Sequence, residues 1–161
     1  MTMTKPEAQF VAEPGKHDFT VVSVHDAPRE AVWRAFTEQE LLIRHWGPEG
    51  LTTEVDEYDP RPGGRWRFVQ RDEEGNEYAF RGVIHSLEPN ERAIQTFEWE
   101  GMPGHVCLQT LLLEDAGDGR TRVTQHAVFQ TVEDRDGMAD TGAREFAPEG
   151  VAKLAEVLRE L

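Results

Sequence analysis

Tight turns divide the middle of this sequence into short segments, and this division constrains the fold more than any other feature. Within most segments apolar and polar residues alternate, which is typical of strands with one buried face. The loops between them contain glycine and proline, as in Pro62-Gly63-Gly64 and Gly117-Asp118-Gly119, and short loops of this kind join antiparallel neighbours. The predicted strands are residues 51–58, 65–71, 77–87, 92–100, 105–113 and 120–129.

The residues before these strands predict two more strands and two short helices. Residues 9–12 are expected to form an edge strand that pairs with residues 19–25. Pro28 suits the first turn of a helix, because the N–H that proline lacks would have no partner there. Residues 37–40, Thr-Glu-Gln-Glu, predict a capping box that starts a second helix, which ends near Trp46.

The C-terminal residues 134–161 predict one long amphipathic helix. Its apolar stripe recurs at steps of three and four residues and consists of Ala143, Ala147, Val151, Leu154, Leu158 and Leu161. Pro148 lies inside this pattern, and proline in a helix interior costs about 3 kcal/mol. The sequence therefore predicts a kink or break near Ala147, with Pro148 starting the final segment. The order of elements predicts an α+β fold in which many strands curl around one terminal helix.

Length and charge narrow the class of protein. The 161 residues are expected to form a flexible tail, residues 1–8, and one domain, residues 9–161. A net charge of −14 argues against nucleic acid or an anionic membrane surface as a partner. The sequence has no signal peptide and no long apolar segment, so we expect a cytoplasmic, soluble protein that is a monomer or a homodimer.

Motifs for catalysis or metal binding are missing from the sequence. Ser23 and Ser86 are its two serines, and neither lies in a Gly-x-Ser-x-Gly turn. The single cysteine, Cys107, lies in the middle of a predicted strand, which favours a buried side chain over a reactive thiol. The six histidines do not have metal-ligand spacing. We therefore predict no catalytic residue, no metal and no cofactor.

Two groups of polar residues leave alternatives open. Glu98 and Glu100 share a strand face with Thr96, and they form either a carboxylate pair for acid–base chemistry or, as we favour, a solvated strand face. His126, on the last strand, is expected to face a cavity. There it would orient a ligand or act as a base, unless it is a hydrogen-bonded structural histidine.

Aromatic residues give the strongest functional signal. Pairs of aromatic side chains share strand faces, and facing inward they would form a wall opposite the terminal helix. Trp66 and Trp99 are both expected to be buried on that face. The wall is either a filled core or the lining of an apolar pocket. The candidate ligand-binding residues are Trp66, Phe68, Phe80, Phe97, Trp99, His126, Met138 and Phe146.

Several local strings resemble one protein family when they are taken together. They are the segments 27–33 (APREAVW), 45–48 (HWGP), 61–66 (RPGGRW), 98–105 (EWEGMPGH) and 133–138 (EDRDGM). The sequence resembles the START-like, or SRPBCC, superfamily. Within it, the sequence is similar to a bacterial branch named after the C-terminal domain of a heat-shock chaperone ATPase activator.

The resemblance implies a helix-grip fold, in which a curved antiparallel sheet wraps a long C-terminal helix and two short helices follow the first strand. It also implies a cavity between sheet and helix, where members of the superfamily bind lipids, sterols or polyketides. The first functional hypothesis is therefore binding of a small hydrophobic ligand. A chaperone cofactor or regulatory protein-interaction module, active in a stress response, is the second. A cyclase- or hydrolase-type enzyme is the third, although the branch has no catalytic motif that can be transferred.

Overall fold

The alternating segments form a single antiparallel sheet in the computed structural model, which describes residues 7–161. The strands are β1 Gln9–Val11, β2 Asp18–His25, β3 Thr52–Tyr58, β4 Arg65–Arg71, β5 Glu77–Glu88, β6 Arg92–Trp99, β7 Val106–Gly117 and β8 Arg120–Val128. Their order in the sheet is β1-β2-β8-β7-β6-β5-β4-β3. The predicted meander is confirmed, as is the pairing of the N-terminal edge strand with β2.

The helices cover one face of this sheet, which we call the inner face. Leu113 of β7 and Val123 of β8 pack there against the C-terminal helix residues Leu154 and Val157. Strand residues two apart share a face, so the positions of these two residues identify the inner-face residues of β7 and β8. We call the opposite side the outer face. The predicted α+β fold is thereby confirmed.

Two short helices follow β2, as the sequence predicts: α1 spans Arg29–Thr37 and α2 spans Gln39–His45. The predicted capping box is wrong. Thr37 belongs to the last turn of α1, where its hydroxyl donates to the carbonyl oxygen of Trp33 at 2.7 Å. This bond competes with capping of the next helix. Glu38 is therefore the N-cap residue of α2, and no side chain caps that helix.

The terminal helical region begins at Thr131, whose hydroxyl accepts a hydrogen bond from the Asp134 N–H at 3.0 Å. It consists of α3 Val132–Met138, a π-helical turn Ala139–Ala143 and α4 Arg144–Arg159. The prediction of a break near Ala147, with Pro148 starting the final segment, is wrong, because α4 begins at Arg144 and continues through Pro148. The irregular turn lies before α4 instead. The buried side chains beyond the proline hold the helix in place despite the lost backbone bond.

The core consists of three apolar clusters along the inner face. The first joins α1 and α4 to β7 and β8, the second joins β2, β7 and β8 to the π-helical turn, and the third joins α2 to β4 and β5. Phe97 of β6 contacts both the second and the third cluster. The middle strand β6 therefore lies at the boundary between two separately packed regions.

Two findings concern the ends and the surroundings of the chain. Most of the predicted flexible tail, residues 1–6, lies outside the described residues, and Glu7 and Ala8 have no regular structure. Within residues 7–161, every helix is too short or too polar to cross a bilayer.

Candidate functional site

Aromatic rings fill the inner face over β4 and β5. Trp46, which follows α2, inserts its indole among them, with ring centroids 5.1 Å from Phe68, 5.3 Å from Phe80 and 6.1 Å from Trp66. The Phe97 ring lies 5.4 Å from Phe80 and 6.0 Å from Trp66. Edge-to-face, tilted and offset-stacked contacts at these distances are favourable beyond the burial of the rings. We call these five residues the aromatic cluster; Trp46 closes it.

The two predicted buried tryptophans differ. Trp66 is 2% exposed, so its prediction is confirmed, whereas Trp99 is 37% exposed, so its prediction is wrong. Trp99 is the last residue of β6. Its ring lies over Gly101, where a Cβ atom would be 2.4 Å from the Trp99 Cζ2 atom. The side chain therefore packs on its own hairpin loop at the edge of the sheet and not under the helices.

Three other predicted site residues lie in different environments. Phe68 is buried in the aromatic cluster. Met138 is half-buried and packs against the cluster that contains Phe19 and Phe129. Phe146 is exposed on the first turn of α4, next to Gly142. The sequence predicts that Phe146 faces the aromatic rings. Its exposure does not agree with that prediction.

His126 lies on the outer face, so the prediction that it faces a cavity under the helix is wrong. Val123 and Ala127 of the same strand are buried on the inner face, and His126 has the opposite parity. Its Nε2 atom lies 2.8 Å from Oδ2 of Asp18, a residue of β2. The hydrogen bond with His126 is the main cause that lowers the pKa of Asp18. His126 thus joins two strands on the solvent side of the sheet.

Three glutamines interrupt the apolar inner face in adjacent strands. Gln95 of β6 is the register partner of Gln109 of β7, and the Gln95 Nε2 donates to the Gln109 Oε1 at 3.0 Å. Gln125 of β8 lies beside Leu111, one inner-face position along β7 from Gln109. We call Gln95, Gln109 and Gln125 the glutamine row. These residues are not among the ligand-binding residues predicted from the sequence.

The glutamine row lies where the inner face is open. Gln125 is exposed, although Val123 and Ala127 on either side of it along the same face are 0% and 6% exposed. The pairing of β8 with both neighbours is regular around Gln125, so its side chain keeps the inner-face orientation. The helical layer therefore leaves Gln125 accessible. We give the name inner groove to this exposed side chain and the partly buried inner-face residues around it: Ala93, Gln95, Phe97, Gln109 and Leu111.

Buried polar groups lie beside the groove region, on the same face. The His25 Nε2 atom lies 2.9 Å from the Ser23 Oγ, and its Nδ1 atom has no hydrogen-bond partner among residues 7–161. The His45 Nε2 donates to the carbonyl oxygen of Ala35 at 2.8 Å. Burial lowers the pKa of His25 and of His45 to about 4. Both imidazoles are therefore neutral at physiological pH and belong to the core.

The acidic pair Glu98 and Glu100 has no features of an acid–base site. The guanidinium of Arg81 donates to Glu98 at 2.9 Å, and that of Arg67 donates to Glu100 at 2.7 Å. The pKa of Glu98 is lowered first by the N–H of Gly104 and then by Arg81. Arg67 is the main cause that lowers the pKa of Glu100. Both carboxylates therefore stay ionised as partners of arginine on the outer face.

Two further kinds of reactive group are the single cysteine and the potential metal ligands. Burial raises the pKa of the Cys107 thiol to about 12, which keeps the thiolate form unpopulated at neutral pH. In the part of the chain that the structure describes, no three His, Cys, Asp or Glu side chains come together as a metal-binding group.

Two surface depressions lie outside the inner groove. One, of about 520 Å³, is lined by residues such as Glu7, Glu114 and Arg122. The other, of about 440 Å³, is lined by residues such as Arg67, Arg81 and Glu98. Both are open to solvent on the outer face of the sheet, and charged side chains line much of each. Sites for small apolar molecules are mostly apolar, so the charged side chains in both depressions disfavour such a ligand.

Comparison with known proteins gives a family and several related folds. A family model described as "Activator of Hsp90 ATPase homolog 1-like protein" matches residues 26–159. Among curated proteins, none matches the chain. A solution NMR structure of a protein from Arthrobacter aurescens is 22% identical with a TM-score of 0.85, covering 95% of this chain and 92% of that chain.

Two crystal structures are also similar. A protein from Rhodobacter sphaeroides is 25% identical with a TM-score of 0.84, and the match covers 96% of this chain and 99% of that chain. A protein from Nitrosomonas europaea is 26% identical with a TM-score of 0.76, and the match covers 89% of this chain and 94% of that chain. The architecture described above is thus shared along nearly the full length of these proteins.

Proposed function

The chain belongs to the family of activator of Hsp90 ATPase homolog 1-like proteins, and from this premise we propose that it binds a small hydrophobic molecule in the inner groove. The family assignment agrees with the START-like resemblance of the sequence. The observation that carries the proposal is the exposure of Gln125 between buried Val123 and Ala127. An accessible strip of sheet beneath a helical layer is concave, and Phe97 and Leu111 give it apolar surface.

The candidate residues take different parts in this proposal. Phe97 lines the groove directly, and Met138 packs close to it, in the same apolar cluster. Trp66, Phe68 and Phe80 support Phe97 from the side of the aromatic cluster. Trp99, Phe146 and His126 are left out, because the first two are exposed and the third is on the outer face.

A blocking substitution tests the site. Gln125→Trp places a large ring in the groove, and Val128→Trp places the same ring on the outer face of the same strand. Both positions are exposed, so neither substitution overpacks the core. We expect wild type and Val128→Trp to bind the neutral dye Nile red equally, and Gln125→Trp to bind it at least about tenfold more weakly. Equal binding by all three proteins, or no binding by wild type, would contradict the proposal.

Native mass spectrometry of the purified protein gives an independent measurement. A hydrophobic molecule retained by wild type should be released by Gln125→Trp and retained by Val128→Trp. Thermal unfolding of the three proteins shows whether each variant is folded before the comparison is made.

A second candidate function is that of a chaperone cofactor or regulatory interaction module. The family description favours it, and so does a group of exposed apolar side chains on the outer face, Val83, Leu108 and Val128. This role would place the protein in the cytoplasm beside the chaperone and connect it with a stress response. Leu108→Asp should then abolish binding to an Hsp90-type chaperone, measured by calorimetry, and leave Nile red binding unchanged.

The enzyme hypothesis receives no such support. The residues that line the inner groove are alanine, leucine, phenylalanine and glutamine, and none of these side chains can act as a general acid, a general base or a nucleophile at neutral pH.

A further inference from the structure

The hydrogen-bonding groups of the glutamine row are only partly used. Each glutamine side chain has two N–H donors and one carbonyl acceptor. Between residues 7 and 161 the one hydrogen bond that these three side chains make is from Gln95 to Gln109. Gln109 keeps both donors, Gln95 keeps its acceptor, and Gln125 keeps all of its groups. Because the amide can be turned about its axis, every orientation leaves both donors and acceptors available.

These available groups are arranged in a compact polar strip within apolar surroundings. Gln95 and Gln109 are register partners in adjacent strands, which places their Cβ atoms about 5 Å apart. Gln125 is one strand further, beside Leu111. Apolar side chains flank the row along the strands: Phe97 and Ala93 in β6, Cys107 and Leu111 in β7, and Val123 and Ala127 in β8. A bound molecule would therefore meet polar groups at its middle and apolar groups on both sides.

Charge in the ligand would not be compensated in this groove. No lining residue is ionisable. The buried guanidinium of Arg135, on the same side of the sheet, is committed to the carbonyl oxygens of Asp18 and Glu13 at 2.8 Å each, and to Asp136. His25 and His45 are buried beside Ser23 and Ala35, respectively. Burying an unpaired carboxylate or ammonium costs far more than burying a hydrogen-bonded neutral group.

We propose that the ligand is an uncharged, largely apolar molecule that carries an amide, with its N–H and carbonyl bound by Gln109 and Gln125. This inference rests on the proposed function, because it names the chemistry of the molecule that the inner groove holds. An amide presents at least one N–H donor and one carbonyl acceptor, which matches what the glutamine row leaves available. Hydrophobic amides and lactams are the corresponding chemical class.

Four probes with the same ten-carbon chain test the head group: decanamide, methyl decanoate, decanoate and decylamine. Each is used to displace Nile red from the full-length protein. One net hydrogen bond changes affinity about threefold to tenfold. We expect decanamide to displace the dye at a concentration at least about threefold lower than the ester. The two charged probes should be weaker than the ester.

Near-isosteric variants complete the test. Gln109→Met and Gln125→Met, singly and combined, remove the hydrogen-bonding groups while keeping the volume. Gln39→Met, at an exposed position of α2, is the matched control. The affinity of each variant for Nile red is measured first, so that displacement is compared within one protein. The double variant should bind decanamide no better than the ester, while the control keeps the preference.

The outcomes separate this inference from the proposed function. Equal displacement by decanamide and the ester in wild type, or an unchanged preference in the double variant, would overturn the amide assignment while Nile red binding upholds the site. Displacement by decanoate at lower concentrations than decanamide would overturn it as well. Absence of Nile red binding in wild type would overturn both proposals.

Discussion

The inner face of the sheet is closed over β4 and β5, whereas in β6 to β8 it is open around the glutamine row. In the closed region, Trp46 brings a ring from outside the sheet and completes the aromatic cluster. In the open region the strands supply glutamines, and Gln125 stays accessible. The same sheet therefore has two kinds of surface under its helices. The difference shows that a helix-grip fold encloses space only where no side chain from the helical layer fills it.

The largest expected effect is a difference in stability between variants of Trp66 and Trp99, which the sequence predicts to be equally buried. Trp66→Ala should destabilise the protein by about 3–5 kcal/mol, because it leaves a cavity in the closed region. Trp99→Ala should cost less than about 1 kcal/mol, because the ring is 37% exposed. Urea unfolding of both variants measures the difference. Equal losses of stability would show that Trp66 in the aromatic cluster and the exposed Trp99 contribute equally, which would contradict the comparison.

Removing Trp46 should turn the closed region into an open one. Trp46→Ala should lower stability by about 2–3 kcal/mol, less than a fully buried tryptophan, because Trp46 is half-buried. It should also increase Nile red binding, since Phe68 and Phe80 become accessible. Trp33→Ala, a half-buried tryptophan in the first apolar cluster, is the matched control and should lose stability without added dye binding. An identical dye response in both variants would contradict the role of Trp46.

Acidification should destabilise the protein, because two histidines are buried in its core. Burial lowers the pKa of His25 and His45 from 6.5 to about 4. The unfolded chain therefore takes up protons below pH 6.5 that the folded chain does not take up until about pH 4. The contribution of the two neutral histidines to stability is fully present above pH 7, and it is lost as the pH falls from 6.5 to about 4. Between pH 7 and pH 5 the loss should be on the order of 2 kcal/mol per histidine.

Urea unfolding at pH 7, 6 and 5 measures this effect. His17→Asn, which changes an exposed histidine, is the control. Carboxylates with a lowered pKa, such as Asp18 and Glu98, lose their contribution mainly below this range. Constant stability from pH 7 to pH 5 would show that the two imidazoles are not held neutral by burial.

The smallest effect is expected on the outer face. His126→Gln removes the hydrogen bond to a partly exposed Asp18, and surface pairs of this kind contribute less than about 1 kcal/mol. Nile red binding should not change, because His126 and the inner groove lie on opposite faces of the sheet. A tenfold loss of dye binding in this variant would show that His126 contributes to the binding site.

Most of the fold can be predicted from the sequence, because turns and alternation define each strand locally. Two local predictions fail for identifiable reasons. Thr37 bonds back to α1 and is therefore unable to cap α2. His126 has apolar neighbours of both parities, Ala127 and Val128, so alternation alone does not fix its face.

The site is harder to predict than the fold. Within each strand, the alternation places Gln95 with Phe97, Gln109 with Leu111, and Gln125 with Val123 on one face. That signal was present in the sequence. What the sequence does not contain is the register, and only the register brings the three glutamines side by side. Trp46 follows a helix and lies in no strand, so no periodicity indicates that it closes the aromatic cluster.

The π-helical turn Ala139–Ala143 changes the angle around the helix axis between the residues before it and the residues after it. In a straight α-helix each residue advances about 100°, so Ala139 and Val151, twelve positions apart, would point roughly 120° away from each other. Both are nevertheless 2% exposed. The wider turn accommodates one extra residue, which reduces the angle between them to roughly 20°. A relative with a straight terminal helix would need one residue fewer here, and a correct sequence alignment with it would contain a one-residue gap inside a continuous helix.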